Sequence, residues 1–165
     1  MGRLWAMLTG AGMPSPAGRG RRAERELQLA AAALLIEAAT VDRNFDAAER
    51  ERILLYARSR FGLDEAEAEA LIEAAERNAA GSTQIFRFTQ IVKNGLSYEE
   101  RVRLVESLWE VVYADGHADP YEKQLMRRIA GLIYVTDRDS GQARRRALER
   151  LESQRRPKGR GGSAA

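Results

Sequence analysis

The chain has no cysteine, which excludes a disulfide framework, a thiolate-held zinc or iron–sulfur site and any thiol nucleophile. Its one histidine, His117, excludes His-rich metal sites and argues against a histidine-based triad. No apolar run approaches the roughly 20 residues that span a bilayer. No charged start followed by an apolar stretch marks a secretory signal. The expectation is a soluble, cytoplasmic protein. Runs of β-branched residues are also nearly missing, and Ala, Leu, Glu and Arg dominate, so strands are not expected. What remains is 165 residues, 44% hydrophobic and 31% charged, enough to bury one sizeable core.

Charge of one sign is not spread evenly. The net charge of +3 divides into +4 over residues 1–25, +6 over residues 143–165 and −7 between them. The middle of a basic-looking chain is therefore acidic, which makes a cation as natural a ligand as an anion.

Residues 10–22 are rich in Gly and Pro and aperiodic, so residues 1–22 read as a flexible arm and linker. Residues 23–152 read as the helical domain, and 153–165 as a disordered basic tail with nothing to bury. Seven helices are predicted. The first, about 23–41, carries a stripe of Leu27, Ala31, Leu34, Leu35, Ala38 and Ala39. The second, about 46–60, repeats Ile53, Ala57 and Phe61 and ends at Gly62. Asp64 caps a third over 65–79, with Ala68, Leu71, Ile72 and Ala75 inward. A fourth, about 83–94, shows Ile85, Phe88, Thr89 and Val92. Ser97 and Glu100 form a capping box for a fifth over 98–114, with Val102, Val105, Trp109 and Val112 in register. The sixth, about 120–134, uses Tyr121, Leu125, Met126, Ile129 and Ile133. The seventh, near 140–154, is arginine-rich, with Ala143, Ala147, Leu148 and Leu151 as its apolar side. Short connections favour antiparallel neighbours, so the fold class is all-α, a compact seven-helix bundle.

One internal match stands out. Residues 37–49 align without gaps on residues 110–122, and both read E-x4-D-x3-D-x2-E: Glu37, Asp42, Asp46 and Glu49, then Glu110, Asp115, Asp119 and Glu122. Each copy lies where one helix ends and the next begins. Two readings fit. In the first, Asp46 and Asp119 are N-caps, with Glu49 and Glu122 as their capping-box partners and Pro120 and Gly116 as the usual punctuation. In the second, Asp42 and Asp115 need a further reason, because an acid at a helix C-terminus opposes the macrodipole. Carboxylates converging from a loop and the following first turn, without Cys or His, select a hard cation: Ca²⁺, Mg²⁺ or Mn²⁺. The spacing differs from the twelve-residue EF-hand loop.

The blocks Ala114-Asp115-Gly116-x-x-Asp119-x-x-Glu122 and Val41-Asp42-Arg43-x-x-Asp46-x-x-Glu49, with Tyr134–Ser140, resemble the tellurite-resistance TerB-like family over about residues 24–152. The resemblance implies an all-helical domain of two pseudo-repeated halves, whose acidic loops bind divalent metal, associated with tellurite resistance and stress responses. Its metal ligands would be Asp42, Asp46 and Glu49 in the first loop and Asp115, Asp119 and Glu122 in the second, with Glu37 and Glu110 as weaker candidates. The first loop departs from the pattern, because Arg43 replaces the glycine and is able to pair with the loop's own acids.

Trp109, Tyr113, Phe86 and Phe88 read as core. His117 reads as an exposed loop residue. The arginines from Arg144 to Arg160 have no interleaved aromatics, so nucleic acid is not the expected partner. They read as a solubilising tail able to fold over the acidic loops. The stub Leu4-Trp5-Ala6-Met7-Leu8 allows at most weak peripheral membrane contact. Nothing supplies a nucleophile, an oxyanion hole or a phosphate loop, so no catalysis is expected. The functional expectation is a divalent-cation-binding sensor or adaptor that acts through another protein. The alternative is a metal-free helical interaction module whose acids are only caps.

Overall fold

A computed structural model describes residues 19–40, 46–78, 82–114 and 116–156. Among them are seven helices and no strand: α1 (Arg19–Thr40), α2 (Ala47–Phe61), α3 (Glu65–Asn78), α4 (Ser82–Gly95), α5 (Tyr98–Val112), α6 (Pro120–Leu132) and α7 (Asp137–Arg155).

Helix α1 is the axis of the bundle. The expected stripe is buried, and so are Ala30, Ala32, Ala33 and Ile36 between its members. A helix apolar on every side belongs in the middle of other helices, and α1 packs against α2, α3, α4, α5 and α6. Its alanines let those neighbours approach closely. At one crossing Gly95 does the same from the other side, since a Cβ there would lie 2.9 Å from Leu27 Cδ1.

The predicted caps form. Asp64 and Glu67 exchange backbone hydrogen bonds of 2.8 and 2.9 Å at the start of α3, and Ser97 and Glu100 do so at α5. Gly62 ends α2 in the left-handed region at φ 65°. The sequence reading goes wrong where a signal is unusual. Helix α6 stops at Leu132 instead of running to 134, because Tyr134, not a glycine, takes the left-handed position at φ 55°. Val135 N–H donates to Ala130 O and Tyr134 N–H to Gly131 O, closing a Schellman turn. Arg101 Nη1 donates to Ile133 O at 2.7 Å, satisfying another carbonyl at that terminus. Lys93 lies over the Tyr134 ring, 4.1 Å from its centre. Helix α7 begins earlier than expected, because Thr136 is its N-cap and Asp137 and Asp139 suit its first turn. Helix α1 begins at Arg19, inside the stretch read as linker. The arm over residues 1–18 and the tail over 157–165 lie outside the described residues.

Two residues assigned inward face solvent. Phe86 is 54% and Tyr121 74% exposed. Two positions apart on a helix are about 200° apart, so Phe86 and Phe88 cannot both point inward, and Phe88 takes the core.

Helices α5 and α7 lie side by side and parallel. The contacts Tyr98–Asp139, Glu106–Arg146, Glu110–Arg150 and Ala114–Arg155 keep a separation of 40 or 41 residues along both helices. Helix α2 crosses this pair in the opposite sense. Its Arg52 donates to Gln154 near the end of α7 at 2.8 Å and acts on Glu110. Tyr56, one turn later, feels the charge of Glu100 near the start of α5. The start of α2 and the ends of α5 and α7 therefore share one end of the bundle.

Candidate functional site

That shared end holds both acidic junctions. The first leads into α2, whose N-cap is Asp46, and the second leads from α5 into α6, whose N-cap is Asp119.

At the first junction Asp46 Oδ1 accepts from Glu49 N–H at 2.8 Å, and Glu49 Oε2 accepts in return from Asp46 N–H at 3.4 Å. At the second, Asp119 Oδ1 accepts from Glu122 N–H at 2.8 Å, with Pro120 in the first turn, where its missing N–H costs nothing. Capping thus accounts for the positions of both aspartates, as the first reading of the sequence requires.

The glutamates distinguish these junctions from the other caps. Glu49 is 6% and Glu122 8% exposed, whereas the capping-box partners Glu67 and Glu100 are only half-buried. A buried carboxylate is costly unless it is paired or coordinates a cation, and each of these two has a partner within the protein. Asp42 and Asp115, one from each expected ligand set, lie outside the described residues. Among the described residues no group of three acids or histidines is gathered tightly enough to hold a metal ion.

The two weaker candidates differ. Glu37 is half-buried, and burial pushes its carboxyl above the ordinary range. Glu110 is committed elsewhere: Arg150 Nη1 donates to its Oε1 at 2.6 Å. Burial raises the Glu110 carboxyl, and Arg150 works against that rise. His117 is exposed, as the sequence suggests.

The second junction carries a cation of the protein's own. Tyr113 and Ala114 close the last turn of α5, and Gly116 N–H donates to Tyr113 O at 2.9 Å with Gly116 at φ 105°, a conformation suited to glycine. Above this turn stands Arg155, from the last turn of α7. Its Nη2 donates to Ala114 O at 3.4 Å, and a Cβ on Gly116 would come within 3.3 Å of Nη1. A basic group from the C-terminal region over an acidic loop is what the sequence suggests, with Arg155 as the residue.

Other arginines read as a solubilising tail are structural. Arg146 Nε and Arg150 Nη2 donate to the two oxygens of Glu106 at 3.0 and 2.7 Å. Arg144 Nε donates to the Tyr113 hydroxyl at 2.9 Å and lies over the Trp109 ring. The signal was present: Glu106 and Glu110 on α5 and Arg146 and Arg150 on α7 are both four apart, hence each pair shares a face.

Among the described residues no helix is long and apolar enough to cross a membrane. A family model described as "Tellurite resistance protein TerB" matches residues 28–145. No curated protein and no solved structure matches the chain.

Proposed function

The chain belongs to the TerB family, and we propose that it is a non-catalytic sensor or adaptor in a tellurite-resistance-related response, binding a hard divalent cation at its acidic helix junctions. One observation carries this reading: two matching junctions, each with a buried glutamate behind a capping aspartate, occupy the same end of the bundle. All-oxygen donors of this kind suit Ca²⁺, Mg²⁺ or Mn²⁺. Asp42, Asp46 and Glu49 would supply one set and Asp115, Asp119 and Glu122 the other.

The rival reading, a metal-free interaction module, draws on the capping bonds, which explain Asp46 and Asp119 without a metal. Asparagine caps a helix about as well as aspartate, so Asp119→Asn removes charge and keeps the cap. In thermal-shift titrations with millimolar Ca²⁺, Mg²⁺ or Mn²⁺, the wild type gains stability with at least one cation, and Asp119→Asn loses most of that gain. Equal responses of the two proteins would favour the rival.

Arg155 competes with the cation in this reading. A unit charge about 4 Å from another is worth about 1 kcal/mol even in water. Arg155→Ala is therefore expected to tighten divalent binding by about fivefold, measured by calorimetry at fixed ionic strength. Unchanged affinity would show that the guanidinium plays no part.

A further inference from the structure

A cleft of about 380 Å³ opens where α2, α5 and α7 meet, lined among others by Arg52, Arg60, Arg150, Ser107, Tyr56 and Leu55. We propose that it binds a small molecule carrying a phosphate group.

The cations on its walls are not equivalent. Arg150 is neutralised by Glu106 and Glu110. Arg52 has a neutral acceptor in the Gln154 amide, which satisfies a donor and leaves the charge in place. Arg60 has no carboxylate within ion-pair distance among the described residues. Glu110 is the one acid on the wall, and with Glu106 it is paired to Arg150, so Arg52 and Arg60 carry the positive charge that remains. Arg52 and Arg60 are both half-buried, and a partly desolvated guanidinium gains most from an anion that accepts two of its donors at once.

Other half-buried arginines have partners of their own: Arg101 donates to Ile133 O and Arg144 to the Tyr113 hydroxyl. Arg50 pairs with Glu69 at 2.7 Å and Glu76 at 3.7 Å. What sets the cleft apart is that two half-buried arginines, Arg52 and Arg60, line one cavity.

The remaining lining fits the same ligand. The hydroxyls of Ser59 and Ser107 donate to carbonyls of their own helices at 3.3 and 3.2 Å, and a rotation about one bond turns either toward an oxyanion. Burial raises the Tyr56 phenol, which keeps it a neutral O–H donor. Leu55, 55% exposed, and Val111 add apolar wall for an organic body. The volume lies at the small end of ligand pockets, matching a molecule of about one ring. The cleft is distinct from the acidic junctions, and its test needs no divalent cation.

The experiment titrates the full chain, free of divalent cations and at constant ionic strength, with phenyl phosphate, inorganic phosphate and phenol. Calorimetry and arginine Nε–H NMR signals provide the readouts. Saturable phosphate binding is expected, with the Arg52 and Arg60 signals moving and phenol failing to compete. Tighter binding of phenyl phosphate than of inorganic phosphate identifies an organic phosphate as the ligand, and the reverse order identifies the free ion. Losing one charge-assisted hydrogen bond corresponds to about a tenfold weakening. Arg60→Gln should show it, while Arg87→Gln on the exposed face of α4 should not. Ser107→Ala gives a smaller loss and guards against an unfolded Arg60 variant. The proposal is overturned by an absence of saturation, by equal losses in Arg60→Gln and Arg87→Gln, or by an unaltered affinity in a folded Arg60→Gln.

Discussion

Leu34→Ala is expected to lower the unfolding free energy by about 3 kcal/mol, read from urea midpoints with an unchanged slope. Leu34 is fully buried in the helix that five others surround. Losing its three outer carbons removes transfer free energy and leaves a cavity. The flanking small residues Ala30, Ala31 and Ala38 cannot swing in to fill it, and closing it by a backbone shift would disturb several helix contacts at once. Tyr121→Ala, at a position 74% exposed, is the matched control and should change stability by less than about 0.5 kcal/mol. A Leu34→Ala loss below about 1 kcal/mol would mean that α1 is not the packing axis.

Glu106→Ala is expected to cost about 2 kcal/mol, because the carboxylate receives charge-assisted hydrogen bonds from both Arg146 and Arg150. Its side chain is 10% exposed, whereas those of the arginines are 46% and 54% exposed. The freed guanidiniums therefore rehydrate, which holds the loss below that of breaking a fully buried pair. Arg150→Ala acts differently, because it strands Glu110. Burial raises that carboxyl, so the folded state favours its protonated form. The corresponding stability is present below the unfolded pKa and is lost as pH rises through the folded one. Arg150 offsets that loss. The deficit of Arg150→Ala should therefore be full at neutral pH, shrink as pH falls through the raised folded pKa of Glu110, and be smallest once pH is below the ordinary glutamate value of 4.5. A deficit that is constant from pH 7 to pH 4 would show that Arg150 does not act through Glu110.

The helices were legible in the sequence wherever local chemistry and burial agree. Asp46, Asp64, Ser97 and Asp119 announce their helices because capping is settled within four residues, and Ile53, Ala57 and Phe61 repeat with the helix period. Tyr134 was illegible because a left-handed turn without glycine is sustained by tertiary contacts, here Lys93 and Arg101. Helix α7 itself was legible, but its arginines looked like a solubilising tail because they find their partners 40 residues away on α5, a relation that only the parallel packing creates. The candidate junctions were found through their repeat. Their common end of the bundle was not, since it depends on the sense in which α2 crosses α5. The correspondence seen between the two copies is local: in both, a buried glutamate stands behind a capping aspartate. The cleft among α2, α5 and α7 left no motif, because its arginines come from helices distant in sequence.

The most direct test of cation binding at the junctions is a calorimetric titration of the metal-free full chain with Ca²⁺, repeated with Mg²⁺ and Mn²⁺. The same titration of the double variant Asp46→Asn/Asp119→Asn, which keeps both caps, completes it. The account predicts saturable binding of at least one cation by the wild type, with one ion per chain for a shared site or two for separate ones. It predicts loss of that binding in the folded double variant. A wild type that binds none of the three at millimolar concentration, or a double variant that binds as the wild type does, would contradict it.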